Sequence, residues 1–132
     1  MCSSFLDPFV YARRMSTDAR GDIGVGLWDA GRLMKVDYET NQMSFFALPT
    51  EIPGTYSVSV DKRNNFIWVS EQQADKIARF NPKTGEWAEF PLPDSESDPR
   101  RIEVDQNNPN RVWWSGNLAA RMGFIEVLGG IS

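Results

Sequence analysis

The feature that most constrains this 132-residue chain is an internal repeat. Three segments, RRMSTD (13–18), YSVSVD (56–61) and RRIEVD (100–105), each place an apolar residue third and end on Asp. After each comes a polar turn and an apolar run: Ile23-Gly24-Val25, Ile67-Trp68-Val69 and Val112-Trp113-Trp114. Ile23 to Ile67, Val36 to Phe80, Thr40 to Thr84, Phe46 to Phe90, Pro49 to Pro93 and Val60 to Val104 are all 44 residues apart. Ile67 to Val112 is 45, one residue being absorbed by the turn at 106–110.

Each unit holds four short β-like runs bounded by turn residues, such as Asn64-Asn65 and Pro82-Lys83-Thr84-Gly85. Asn41 stands where Gly85 stands one unit later, which predicts a left-handed backbone at both. No capped helical period competes with this reading. A repeat of roughly 40–45 residues carrying four strands is a β-propeller blade. The expected fold is therefore all-β, an incomplete β-propeller of about two and three-quarter four-stranded antiparallel blades. Residues 1–12 form a leader, 13–55 the first blade, 56–99 the second and 100–132 an incomplete third, in one partial domain. A blade buries its apolar faces against its neighbours, so an open array leaves faces to cover. The expected partners include the remaining blades of a longer propeller, or self-association.

Composition removes several functions. There is no His, so the chain alone supplies no Ser-His-Asp or Cys-His machinery and no His-bearing zinc site. The lone Cys2 forms no internal disulfide. With 14 basic against 18 acidic residues the net charge is −4, and there is no basic run, so nucleic acid is not an expected partner. No stretch reaches the roughly 18 apolar residues of a membrane span. Asp7 and Pro8 interrupt the N-terminal apolar run, so no signal peptide is read and the compartment stays open.

The segments IWVSEQQADKIARFNPKTGEWAEFPLP (67–93), DPRRIEVD (98–105) and VWW (112–114) resemble the virginiamycin B lyase (streptogramin lyase) family. The elements that carry the likeness are Trp68-Val69-Ser70-Glu71, Ile77-Ala78-Arg79-Phe80, Thr84-Gly85 and Phe90-Pro91-Leu92-Pro93. The first unit departs, with Gly24 in place of the Trp and Leu27-Trp28-Asp29 after it. The resemblance implies a seven-bladed propeller, frequent export, and an Mg²⁺-dependent carbon–oxygen lyase that opens a cyclic depsipeptide ester with a His base. Since this chain has no His, no catalytic residue is carried over, and no cofactor is expected for the chain itself. The expected function is a ligand- or protein-binding scaffold, with a small polar organic ligand or a protein loop as partner. The alternatives are part of such a lyase, or a lactone-hydrolysing or interaction propeller.

The resemblance also implies that the turns between second and third strands, and the links between blades, surround the central site. Those places offer Trp28, Asp29, Tyr56 and Glu71. They also offer Gln72, Arg100, Arg101 and Asn117. Aromatics beside Arg and carboxylates suit a polar organic ligand. A metal cage would need Glu71, Asn117 and Asp29 to converge, which is too thin a set, and no metal site is expected. Arg13-Arg14 and Arg100-Arg101, at the same place in the first and third units, are candidates to hold an anion jointly. Trp68, Trp113, Trp114 and Phe45-Phe46 read as packing between blades, and Asp61 and Asp105 as turn residues.

Overall fold

The computed structural model describes residues 12–51, 54–93, 97–116 and 121–128. All of the 1–12 leader but Ala12, residues 94–96 and Asn117 lie outside them. The first sheet contains β1 (Ala12–Thr17), β2 (Ile23–Leu27), β3 (Arg32–Val36) and β4 (Met43–Ala47), hydrogen-bonded in that order. The second contains β5 (Thr55–Asp61), β6 (Phe66–Glu71), β7 (Lys76–Asn81) and β8 (Glu86–Pro91). The third contains β9 (Pro99–Val104), β10 (Arg111–Gly116) and β11 (Met122–Glu126). All pairings are antiparallel, as short up-and-down connections require. The fold is thus that of a partial β-propeller. Among the described residues, no helix is long and apolar enough to cross a membrane.

The turns follow the sequence chemistry. Asn41 and Gly85 adopt φ of 61° and 76°. The Asp closing each first strand turns back on the backbone. Asp18 Oδ1 accepts from the Arg20 and Asp22 amides at 2.9 and 3.0 Å. Asp61 Oδ1 accepts from Arg63 at 3.0 Å and Asp105 Oδ1 from Asn107 at 3.0 Å. These bonds satisfy amides that the ladder leaves open in the turn.

Strands β1, β5 and β9 lie side by side, and the sheets stack outward from them. Leu33 and Phe46 of the first sheet meet Val58, Ile67, Val69 and Phe80 of the second. Phe80 stands between Phe46 and Trp87, with centroids 4.6 and 4.7 Å away. The opposite face of the second sheet places Phe66, Trp68 and Ile77 against Ile102, Val112 and Trp114 of the third. Both faces of the middle sheet are buried, which explains its near-continuous apolar strands. Gly26 admits the neighbouring inner strand closely: a Cβ there would lie 3.0 Å from the Tyr56 carbonyl oxygen. Gly24, in the register position of Trp68, leaves room for the Val58 side chain in the same way.

The paired aromatics divide by strand parity. Trp114 and Phe46 pack into the seams. Trp113 and Phe45, their neighbours, point to the opposite faces of their sheets, which no described sheet covers, and are exposed. Trp113 stacks on Phe124 at 5.0 Å, on a face with exposed Met122.

Candidate functional site

Each inner strand carries one residue more than the strand it pairs with. From Ala12 to Met15 the partner moves only from Leu27 to Val25. From Thr55 to Val58 it moves only from Glu71 to Val69. From Pro99 to Arg101 it moves only from Gly116 to Ser115. The same β-bulge therefore recurs in all three sheets, where the chain enters its first strand. A bulge turns a side chain off the pleat. Here it delivers Arg13, Tyr56 and Arg100 to one face, which we call the upper face.

On that face the guanidinium carbon of Arg13 stands 5.4 Å from the Trp28 ring and 5.5 Å from the Tyr56 ring. That of Arg100 approaches Tyr56 at 5.8 Å. Tyr56 thus has a cation from each neighbouring blade within cation–π range. A hydrogen-bonded chain runs beside it. Trp28 Nε1 donates to Gln72 Oε1 at 2.7 Å, and Gln72 Nε2 donates to Asp98 Oδ1 at 2.5 Å. Asp98 Oδ2 accepts from Arg100 Nε at 3.1 Å, and the Asp98 amide donates to Asp75 Oδ1 at 3.1 Å. Trp28 and Gln72 are 44 residues apart, and Asn117, the next in that series, lies outside the described residues. The repeat itself thus aligns the donors and acceptors of successive blades. The chain fixes the rings and the Arg100 fork in place, which lowers the ordering cost of binding.

The remaining candidates are placed differently. Asp29 is exposed beside Trp28. Arg101 follows the bulge and leaves Arg100 for the wall formed by the inner strands. Glu71 is 0% exposed. Neither of its oxygens receives a donor in hydrogen-bonding geometry. It lies beside Glu89, and two acids side by side favour a proton on one of them. Glu89 Oε2 accepts from Thr50 Oγ1 at 2.6 Å, and Lys76 Nζ lies 3.8 Å from Glu89 Oε1. Burial, then the neighbouring Glu89, push Glu71 from 4.5 up to about 8. Burial acts upward on Glu89 too, but is outweighed by the neighbouring Glu71, by its hydrogen bond from Thr50 and by Lys76, which hold it below its usual value. Glu71 is therefore the protonated member at neutral pH.

The Mg²⁺ implied by the family resemblance does not fit these residues. Among the described residues no three His, Cys, Asp or Glu side chains converge, and Glu71 is committed to Glu89.

The sequence alone does not single out Asp98. A signal was present: Asp98 lies 44 residues after Gly54, and both adopt a left-handed backbone, with φ of 50° and 64°. The aromatic setting of Arg13 is not visible in sequence, because its two rings come from the turn after β2 and from β5.

No family model matches the sequence, and no curated protein matches it. Solved structures do match. Virginiamycin B lyase from Staphylococcus aureus superposes with a TM-score of 0.76 at 16% identity, over 95% of this chain and 44% of that one. A streptogramin B lyase structure gives 0.70 at 17% identity, over 94% and 43%. Hydrazine synthase of Kuenenia stuttgartiensis gives 0.76 at 11% identity, over 96% and 36%. The chain spans less than half the length of these proteins. At such identities the likeness establishes the propeller fold, and enzymes as different as a lyase and a hydrazine synthase share it.

Proposed function

We propose that this chain is a ligand-binding portion of a streptogramin-lyase-like β-propeller. Its upper face takes a small polar organic ligand that carries an aromatic ring and an amide. The observation that supports this is the contact chain across three blades, Trp28–Gln72–Asp98–Arg100, with Tyr56 flanked by Arg13 and Arg100. Rings and guanidinium planes accept an aromatic group, while Gln72 and Asp98 alternate donor and acceptor capacity for an amide. The charges on this face are of both signs, which favours a neutral polar molecule over an ion.

In this reading the chain performs no bond-breaking step. If the whole protein opens a cyclic ester, the general base comes from residues beyond this sequence, which contains no His. The exposed outer face of the third sheet, with Trp113, Met122 and Phe124, is covered by further blades or by a second copy. The test is ligand-detected NMR of the chain with a panel of aromatic amides. Binding should occur and be lost in Trp28→Ala and Arg100→Ala but kept in Lys83→Ala. Absence of binding to wild type, or equal binding by all four proteins, overturns the proposal.

A further inference from the structure

The inner strands enclose a second recess, of about 400 Å³, below the upper face. Its wall is layered by the repeat. Met15, Val58 and Ile102 pair with Val25, Val69 and Trp114, so they hold equivalent places. The residues before them are Arg14, Ser57 and Arg101, and those two positions further along are Ser16, Ser59 and Glu103. The recess is lined by Arg14, Ser16, Ser57, Arg101 and Glu103, with Arg13 at its rim. Arg14 and Arg101 come from the first and third blades and stand on either side of Ser57.

We propose that this recess is an oxyanion site, in which Arg14 and Arg101 clamp a carboxylate or phosphate group and Ser57 donates to it. Neither guanidinium has an ion pair or hydrogen-bond partner among the described residues, whereas Arg100, the next residue along, is bound to Asp98. A planar guanidinium presents a fork of donors that matches an oxyanion. Ser57 Oγ lies 3.4 Å from the Ile102 amide, as an acceptor, so its own hydrogen is left to donate. Glu103 lines the same recess two residues beyond Arg101; it forms no ion pair with either arginine, and its charge opposes the anion that the two guanidinium groups attract. The inference goes beyond the reading of the upper face and stands if that face binds nothing, because it rests on Arg14 and Arg101.

The experiment titrates the full chain with inorganic phosphate and, separately, acetate, at low ionic strength. Arginine Nε–H resonances are followed by NMR, with calorimetry in parallel. The expected result is a saturable shift of the Arg14 and Arg101 signals. Affinity should fall about tenfold in each of Arg14→Gln and Arg101→Gln. It should stay unchanged in Arg63→Gln, a turn arginine on the far side of the second sheet's first hairpin. Both arginines of the clamp are exposed, so the variants should melt like wild type. Binding of phosphate alone identifies a phosphate-bearing guest, and binding of acetate alone a carboxylate. No saturable shift with either anion up to about 10 mM, in the millimolar range that separates weak binding from none, overturns the proposal. So does equal binding by Arg14→Gln, Arg101→Gln and wild type.

Discussion

Trp68 and Trp113 occupy the same place in successive sheets, each on the second strand and facing away from the preceding blade. Trp68 is 1% exposed, with Arg79 over its ring at 5.7 Å and Phe90 at 5.5 Å. Trp113 is 37% exposed, with Phe124 at 5.0 Å and Arg111 at 6.0 Å. Both keep an aromatic and a guanidinium neighbour within their own sheet. What differs is the next sheet: Ile102, Val104 and Trp114 close over the face of Trp68 and nothing equivalent among the described residues closes over Trp113. The residue prepares a contact surface, and the neighbour turns it into core.

The sharpest way to break this comparison is to truncate both side chains. Trp68→Ala should cost about 3–5 kcal/mol, while Trp113→Ala should cost under about 1 kcal/mol, read from denaturant midpoints. Equal losses would mean that the third sheet's outer face is already buried in solution. Next in size is Gly116→Ala in β10, where a Cβ would run into the Ser97 carbonyl oxygen. Backbone must move, at about 1–3 kcal/mol. Gly85→Ala meets nothing within 4 Å and incurs only its left-handed φ of 76°, about 1 kcal/mol.

The seam between the first two sheets should also respond to pH. Glu71 holds its proton up to about 8 in the folded chain, against 4.5 as its ordinary value. Between these values the folded state binds more protons than the unfolded state, so stability is greatest at the acid end and falls as pH rises towards 8. Glu89, held below its usual value, works oppositely and only at lower pH. Glu71→Gln removes the titrating group at nearly constant shape and should flatten the fall between pH 5 and 8. An unchanged profile in that variant would place the titration elsewhere. The smallest expected effect is on association: Met122→Ser, on the open face, should leave the melt within about 0.5 kcal/mol of wild type. It should reduce any concentration-dependent rise in mass seen by light scattering. A wild-type chain that stays monomeric at every concentration would remove self-association as the cover for Trp113.

The sheets were legible because the period is long, the offsets are constant, and turn residues mark the same places in every unit. Asp18, Asp61 and Asp105 recur at one position and make the same turn bonds. The side to which a residue points was less legible near the bulges. One inserted residue reverses the alternation, so Arg100 and Arg101, which look interchangeable in sequence, serve the upper face and the recess respectively. Glu71 was hidden for another reason. It ends a strand and begins a turn, a place that reads as solvent, yet the link carrying Thr50 and the side chain of Glu89 close over it. Such burial depends on residues far away in the chain, which a periodic pattern does not encode. Trp28 and Gln72 were found from loop position alone, but their direct bond follows from the packing of the first two sheets.

The recurring extra residue at the entrance of each inner strand has a consequence for how such a protein can change. It uncouples one side chain per blade from the alternation that the seams depend on. Arg13, Tyr56 and Arg100 show three chemistries accepted at one address without disturbing the stack beneath. A lineage can rewrite these positions like the interchangeable bits of a tool, keeping the handle constant while the working end takes on new guests.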